Sequence, residues 1–169
     1  MRYFLKVKLD FFWLMVKAEK EKLLRISLFS SKNDLYAYLK TENSKIMQLS
    51  PLLRRLKKDL YSYGQGEEIN FIDYPLKLDD YPLFFVKIWT ITGKIPYGEV
   101  HSYKWLAEKA HTKGYRAVGV ALAHNPFPII IPCHRIIKQN RSLGGYSAGL
   151  ELKKKLLRLE GVSLPCLSE

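Results

Sequence analysis

The stretch 125–137 constrains the fold more than any other part of this chain, because it sets reactive side chains between two apolar runs. Pro132 ends a run of three isoleucines, and three residues then follow in order: Cys133, His134 and Arg135. Proline fixes its own backbone angle and favours an extended residue before it. Polar groups among isoleucines are costly to bury without partners. The pattern predicts either a buried structural cysteine beside a surface His-Arg pair, or a thiol held in a fixed geometry for chemistry.

Composition limits the class of protein. The chain has 169 residues, of which 47% are hydrophobic, so it forms one medium domain or two small ones with a sizeable core. No apolar run is long enough to span a bilayer, and the N-terminus lacks a secretory pattern, so we expect no membrane partner. Two cysteines in a chain of this length favour a reducing compartment, and we expect a cytoplasmic location.

Positive charge is concentrated in the second half of the chain. The formal net charge is +12; residues 1–80 contribute +4 and residues 81–169 contribute +8. An excess of this size fits a polyanionic partner such as nucleic acid, although a solvated basic surface explains it equally well.

The first half predicts a small sheet with helices. Residues 3–9 alternate between apolar and polar, and 11–17 and 22–29 also read as strands, so we expect a three-stranded antiparallel meander. Helices are predicted over 32–40 and 48–63. An extended linker follows, and we place a boundary there, giving an N-terminal α/β domain, 1–74, and a C-terminal domain, 75–169.

The second half predicts a mainly helical domain. A helix is expected from Pro82 to about Thr92, and Ser102 is a good N-cap for a helix ending near Ala110. A short turn and a helix over 115–123 complete a pattern typical of a helix-turn-helix. The chain closes with a glycine-rich loop, 144–149, and a helix over 150–160.

Five sequence blocks, in order and at matching spacing, carry a family resemblance. They are Ile95-Pro96-Tyr97-Gly98-Glu99-Val100-His101-Ser102-Tyr103, Arg116-Ala117-Val118-Gly119, Asn125-Pro126-Phe127-Pro128 with Pro132-Cys133-His134-Arg135-Ile136, Gly145-Tyr146-Ser147, and Leu156-Leu157-Arg158-Leu159-Glu160-Gly161. The region 75–162 resembles the O6-alkylguanine-DNA alkyltransferases. The resemblance implies an α+β fold: a small N-terminal antiparallel sheet with helices, then a mainly helical domain with a helix-turn-helix.

The resemblance also implies catalytic roles. Cys133 would accept the alkyl group, and His134, Glu160 and a water would form the relay that makes its thiolate. Asn125 would brace the active-site turn. Tyr103 would press on the phosphate of the target nucleotide and protonate the departing guanine.

DNA contacts and a base pocket are implied in the same way. Arg116 would enter the duplex where the damaged base leaves, and the small side chains beside it would fit the minor groove. The implied DNA-binding set is Arg116, Ala117, Gly119, Tyr103, Ser102 and Arg135. Backbone groups of Cys133, Ile136 and Ser147, with the ring of Tyr146, would hold the flipped guanine. Ala148 stands where many relatives have glycine and would narrow the loop that lines this pocket.

The chemistry of these residue types agrees with that function. Displacement at an alkyl carbon needs a strong, soft nucleophile, and the base must leave the stack to be reached. We therefore expect single-turnover repair of O6-alkylguanine, and of O4-alkylthymine, in double-stranded DNA by a monomer without cofactor or metal. The alternatives are a non-catalytic reader of alkylated DNA, a helix-turn-helix regulator of defined sequences and a thiol hydrolase acting on peptides.

Overall fold

The computed structural model describes residues 2–41 and 50–167. The chain divides into two compact units, one containing the residues up to Ile69 together with Tyr74–Lys77, the other containing Asn70–Asp73 and the residues from Leu78 onward. The predicted boundary between residues 74 and 75 falls within residues 70–77, where short segments of the chain belong alternately to one unit and to the other. The predicted α+β fold class is confirmed.

The N-terminal unit is built on the predicted antiparallel meander. Strands β1 (Arg2–Leu9), β2 (Phe12–Glu19) and β3 (Lys22–Phe29) pair in the order β1-β2-β3. Alternation sets the register, because Leu5, Val7 and Leu9 all point to one buried face, and Leu5 lies opposite Val16.

Two helices belong to this unit, α1 (Lys32–Thr41) and α2 (Pro51–Gly64). Ser50 caps α2 by accepting a hydrogen bond from the Leu53 amide at 3.3 Å, and Pro51 occupies the first turn, where its missing N–H costs nothing. The predicted start of this helix at residue 48 lies outside the described residues. A Cβ on Gly64 would lie 2.8 Å from Leu9, so glycine permits the close approach of α2 to β1.

The second unit contains the predicted helix-turn-helix. Helices α3 (Leu83–Thr92), α4 (Tyr103–Lys109), α5 (Tyr115–Ala123) and α6 (Leu150–Leu159) are joined by loops, with short 3-10 turns at Cys133–Arg135 and Pro165–Leu167. The helix-turn-helix consists of α4, α5 and the turn 110–114 between them. Trp89 of α3 is fully buried and donates its indole N–H to the Ala121 carbonyl of α5 at 2.7 Å, which fixes α5 against the core.

A two-stranded parallel pair, which the sequence did not predict, connects the helix-turn-helix to the cysteine turn. Strand β4 (His101–Ser102) pairs with β5 (Ile136–Ile137), so the start of α4 lies beside the chain that leaves Cys133. No helix in the described part of the chain is long and apolar enough to cross a membrane.

Candidate active site

Asn125 holds the turn that presents Cys133. Its side-chain amide donates to the Ile131 carbonyl at 2.8 Å and to the Cys133 sulfur at 3.2 Å, while its Oδ1 accepts from the Phe127 amide at 2.9 Å. One residue therefore fixes both ends of the loop and the sulfur. Ile129 lies in this loop at a φ of 76°, a conformation that costs a β-branched residue about 1–3 kcal/mol. The surrounding hydrogen bonds hold that strain in place.

The Cys133 thiol is buried, and burial decides its protonation. Desolvation raises the pKa of Cys133, and the hydrogen bond from Asn125 and the positive charge of Lys153 offset this only in part. The thiol is therefore protonated at neutral pH, and a base has to generate the thiolate.

A buried ionic cluster lies beyond the thiol. His134 Nε2 is 2.8 Å from Glu160 Oε1, and Arg135 donates from Nε to Glu160 Oε2 at 2.8 Å and from Nη2 to Oε1 at 2.9 Å. The third Arg135 nitrogen, Nη1, donates to the Ile95 carbonyl. Buried charges are tolerated only when they are paired and hydrogen-bonded in this way.

The protonation state of this cluster follows from its contacts. Burial would raise the pKa of Glu160, but its interactions with His134, and then with the Arg135 guanidinium, outweigh burial and hold that pKa well below its usual range. Burial lowers the pKa of His134, which is therefore neutral at neutral pH. An ionised Glu160 accepts from Nε2–H, so the other nitrogen of the ring, Nδ1, carries the lone pair. Nδ1 is buried and has no hydrogen-bond partner among the described residues, which leaves it ready to take a proton.

The structure places Arg135 inside the protein and not on the predicted DNA-binding surface. Its side chain is only 6% exposed and all three of its nitrogens donate within the protein. Together with His134, Arg135 holds Glu160 ionised. Sequence reasoning missed this because a basic residue in a basic protein reads as a phosphate contact unless its burial is known.

Lys153 is a second buried cation that sequence reasoning missed. It is fully buried in α6, and its ammonium donates to the carbonyls of Ile136 and Leu143, the latter at 2.6 Å, with Gly145 at 3.5 Å. It thereby connects α6 to β5 and to the glycine-rich loop. The signal was present, because Lys153 precedes Leu156 and Leu157 by three and four residues and so shares their buried helix face.

A cavity of about 580 Å³ opens in front of the sulfur. Its walls come from α4, α5, the cysteine turn and the glycine-rich loop: Tyr103, Tyr115, Arg116, Gly119, Leu122, Ala123, Cys133, Lys138, Gly144, Gly145, Tyr146 and Ser147. Ala148 is not part of this wall, and the Ile136 side chain is fully buried. The Ile136 carbonyl accepts a hydrogen bond from Lys153, so the predicted backbone contact of Ile136 with the flipped guanine stays a prediction.

Two tyrosines flank the sulfur. The Tyr103 hydroxyl is 3.5 Å from the Gly145 carbonyl, and burial, then the proximity of Cys133, raises the pKa of Tyr103. The Tyr146 hydroxyl is buried near the sulfur but makes no well-formed hydrogen bond with a described residue, and burial raises the pKa of Tyr146 strongly. Both hydroxyls keep their protons at neutral pH and can donate. A Cβ on Gly144, whose φ is 68°, would lie 3.0 Å from the Tyr103 ring, so glycine sets the spacing between loop and ring.

The outer face of α5 is exposed beside this cavity. Arg116 and Ala117 are exposed, and Tyr115 is half exposed. A Cβ on Gly119 would meet no atom within 4 Å, so packing within the chain does not require glycine there. Ser102 caps α4, as predicted, by accepting from the Trp105 amide at 3.0 Å.

Comparison with known proteins agrees with this geometry. Residues 83–162 match the family model for the DNA-binding domain of 6-O-methylguanine DNA methyltransferase. The methylated-DNA–protein-cysteine methyltransferase of Saccharolobus solfataricus is 47% identical over 109 residues, which are 64% of this chain and 68% of the relative. The chain belongs to this methyltransferase family. The protein of the same name from Metallosphaera sedula is 47% identical over 106 residues, 63% of this chain and 66% of that one.

Solved structures extend the likeness to this methyltransferase family over both units. The O6-methylguanine methyltransferase of Mycobacterium tuberculosis superposes with a TM-score of 0.75 at 27% identity, covering 95% of this chain and 93% of that one. The O6-methylguanine-DNA methyltransferase of Pyrococcus kodakaraensis gives 0.70 at 26% identity, covering 96% and 100%.

The roles assigned from the family resemblance remain predictions for each residue. The structure brings Cys133, Tyr103, Arg116, Gly119, Tyr146 and Ser147 to one cavity. His134 and Glu160 form the buried pair behind it, and Asn125 donates a hydrogen bond to the Cys133 sulfur. Among residues 2–41 and 50–167, no three His, Cys, Asp or Glu side chains cluster as metal ligands.

Proposed function

We propose that this protein repairs DNA by transferring the alkyl group of O6-alkylguanine, and of O4-alkylthymine, directly and irreversibly to Cys133. The observation that carries the proposal is the position of the Cys133 sulfur. It lies in the wall of a cavity of about 580 Å³ that also includes Arg116 and two tyrosines, with Asn125 bonded to it. A cavity of this size holds a nucleobase, and a thiolate is the strongest nucleophile among protein side chains for attack at a saturated carbon.

The thiol must first lose its proton. We propose that a water carries this proton from Cys133 to His134 Nδ1, the nitrogen with the free lone pair. The resulting imidazolium is stabilised by Glu160 through Nε2–H. Arg135 remains hydrogen-bonded to Glu160 and helps to keep it ionised, so the negative charge that stabilises the imidazolium is already present in the protein.

Transfer is then a single displacement. A bond forms between the Cys133 sulfur and the alkyl carbon while the bond from that carbon to guanine O6 breaks, and the electron pair moves to the guanine. Tyr103, whose hydroxyl keeps its proton, donates to the departing guanine. The thioether product has no easy leaving route, so each molecule acts once.

DNA binding falls to the exposed face of α5. The alkyl group is inside the base stack, so the nucleotide is flipped out at a cost of a few kcal/mol. We propose that Arg116 fills the gap from the minor groove, where the small residues Ala117 and Gly119 allow the helix to approach duplex DNA closely. Ser102 and Tyr103, at the start of α4, would contact phosphate. The structure of the Mycobacterium tuberculosis relative in complex with DNA, with a TM-score of 0.73, supports DNA as the partner.

Intact mass spectrometry tests the function directly. After incubation with an excess of duplex oligonucleotide containing O6-methylguanine, we expect the protein to gain the mass of one methyl group, and peptide mapping to place it on Cys133. Cys133→Ser should gain nothing, and an unmethylated duplex should leave both proteins unchanged. Binding of the lesion without any mass change would identify a reader instead, and repair of more than one lesion per molecule would exclude a single-turnover mechanism.

We also propose a monomer that acts in the cytoplasm. Both assignments come from the sequence: one acceptor cysteine and one helix-turn-helix complete a site without a second chain, and the low cysteine content suits a reducing compartment.

A further inference from the structure

The N-terminal unit carries lysines and aromatic rings together on one face of its sheet. Alternation places Lys6 and Lys8 of β1 on the face opposite the buried Leu5 and Val7. The lysine–aromatic face, as we call it, consists of Lys6, Lys8, Trp13, Lys17, Lys32 and Tyr36. None of these residues has a part in alkyl transfer.

Each lysine of this face lies over an aromatic ring. The Lys6 and Lys8 ammonium groups are 6.0 and 5.9 Å from the centre of the Trp13 ring. Lys6 and Lys32 lie 5.3 and 5.5 Å from the centre of Tyr36, and Lys6 also donates to the Tyr36 hydroxyl at 3.5 Å. These contacts limit the freedom of the side chains, so less entropy is lost when they bind a ligand.

Lys17 extends the array along β2. Its ammonium lies 5.9 Å from the Phe4 ring centre, across the strand pair, and 5.5 Å from that of Tyr38 in α1. Helix α1 is fixed to this side of the sheet because Leu35 packs on Phe4 in a buried cluster. The cations are therefore spaced by the sheet and one helix, not by a loop.

Helix α1 covers part of this side of the sheet, and the part beside α1 is exposed and positively charged. Lys6, Lys8 and Lys32 are exposed, and Tyr36 is 42% exposed. No salt bridge in the described part of the chain includes these three lysines. The carboxylate on the same side of β2, Glu19, lies at its far end, opposite Lys22 in register. The charges of Lys6, Lys8 and Lys32 are therefore available to a polyanion.

We propose that the lysine–aromatic face is a second nucleic-acid site, and that its ligand is single-stranded DNA. Exposed ammonium groups bind the phosphates of a strand, and aromatic rings beside them stack on its bases. Duplex DNA offers phosphates but hides the faces of its bases, so the rings add affinity only for unpaired strands. The proposal is independent of Cys133 and of the methyl acceptor chemistry.

Binding of a fluorescein-labelled oligothymidylate, roughly 12 nucleotides long, tests the proposal on the full chain. The test variant is Lys6→Gln/Lys8→Gln/Lys32→Gln. The control is Lys40→Gln/Arg54→Gln/Lys58→Gln, which removes the same charge from exposed positions of the same unit outside this face. Anisotropy is measured over a series of salt concentrations, and a labelled duplex of equal length is titrated in parallel.

We expect the test variant to bind the single strand about tenfold more weakly than the wild type, and the slope of log Kd against log salt to fall by about 2, as expected for three lost phosphate contacts to a single strand. The control and the duplex should change by less than about half as much. An unchanged slope in the test variant, an equal loss in the control, or an equal loss for duplex would each overturn the proposal.

The fluorescence of Trp13 provides a second measurement, which reports base stacking and not electrostatic attraction. Stacking of a base on the indole should quench part of the tryptophan fluorescence on addition of oligothymidylate. The quenching should be smaller in Trp13→Phe, while the far-UV circular dichroism stays the same; Trp105 of α4 is partly exposed and accounts for any remainder. Quenching of undiminished size in Trp13→Phe would show that bases do not stack at this face and would overturn the choice of single-stranded DNA.

Discussion

The cluster behind Cys133 and the outer face of α5 both carry arginine, but they use its charge in opposite ways. Arg135 is buried against Glu160 and acts within the protein, whereas Arg116 is exposed beside the cavity. A buried charge that loses its partner costs about 3–5 kcal/mol, while an exposed one contributes little to folding. Protonation chemistry and fold stability are therefore coupled in the first region. In the second region, the proposed contact of Arg116 with DNA depends on neither.

The largest effect should come from Glu160→Gln. The substitution leaves Arg135 buried opposite a neutral amide, so we expect the free energy of unfolding to fall by about 3–5 kcal/mol in urea titrations. Glu99→Gln is the matched control, because Glu99 is 57% exposed and pairs with His101 at 3.6 Å. It should change stability by less than about 0.5 kcal/mol. Equal midpoints for the two variants would show that the buried cluster does not support the fold.

Lys153→Met should have the next largest effect. Methionine fills the space but leaves the Ile136 and Leu143 carbonyls without their donor, which we expect to cost about 1–3 kcal/mol. Loss of the positive charge should also raise the pKa of Cys133 further. The pH dependence of iodoacetamide alkylation measures that pKa, with Lys154→Met as the control because Lys154 is partly exposed. If both variants alkylate with the wild-type pH profile, Lys153 has no influence on the thiol.

Acidification should lower the stability of the protein in two steps, one for each of two titratable groups in the buried cluster. The pKa of His134 is lower in the folded than in the unfolded state, so unfolded chains bind more protons and stability falls as pH drops below about 6.5. The pKa of Glu160 is also depressed, so its contribution is present above the unfolded value of 4.5 and is lost as pH falls below it. Thermal melts between neutral and acid pH measure both steps. His134→Phe should lack the first one; a drop of the same size in that variant would assign it to other groups.

The smallest effect on stability, and a specific effect on function, should come from Arg116→Ala. Its side chain is exposed, so the free energy of unfolding should change by less than about 0.5 kcal/mol. Repair in a duplex should slow by about tenfold, which corresponds to about 1.4 kcal/mol of lost stabilisation of the flipped-out nucleotide. Reaction with free O6-benzylguanine, which needs no flipping, should stay at the wild-type rate. Equal losses with both substrates would contradict a role for Arg116 in flipping.

Local patterns were sufficient to predict most of the secondary structure. Alternation in residues 3–9 fixed β1 and its buried face, and Ser102 predicted the start of α4 because capping depends on neighbours only three residues away. The two-residue strands β4 and β5 were missed, because a pair between residue 101 and residue 136 leaves no periodic signal in either segment.

Burial explains the errors at the site. Arg135 looked like a phosphate contact and proved to be a buried partner of Glu160, and Lys153 went unnoticed although its spacing from two leucines placed it on the buried face of α6. Residue type gives the charge of a side chain, but the sign of its effect on a neighbour depends on distance and on exclusion of water.

The sequence alone determined which chemistry this chain carries, because a thiol, an imidazole and a carboxylate at family spacing can be read without coordinates. Only the tertiary structure decided how that chemistry is tuned. Burial keeps Cys133 protonated and His134 neutral, and the contact between His134 and Glu160, 26 residues apart in the chain, fixes which imidazole nitrogen can accept a proton. Protonation depends on desolvation and on distances between charges, and both arise only when the chain has folded.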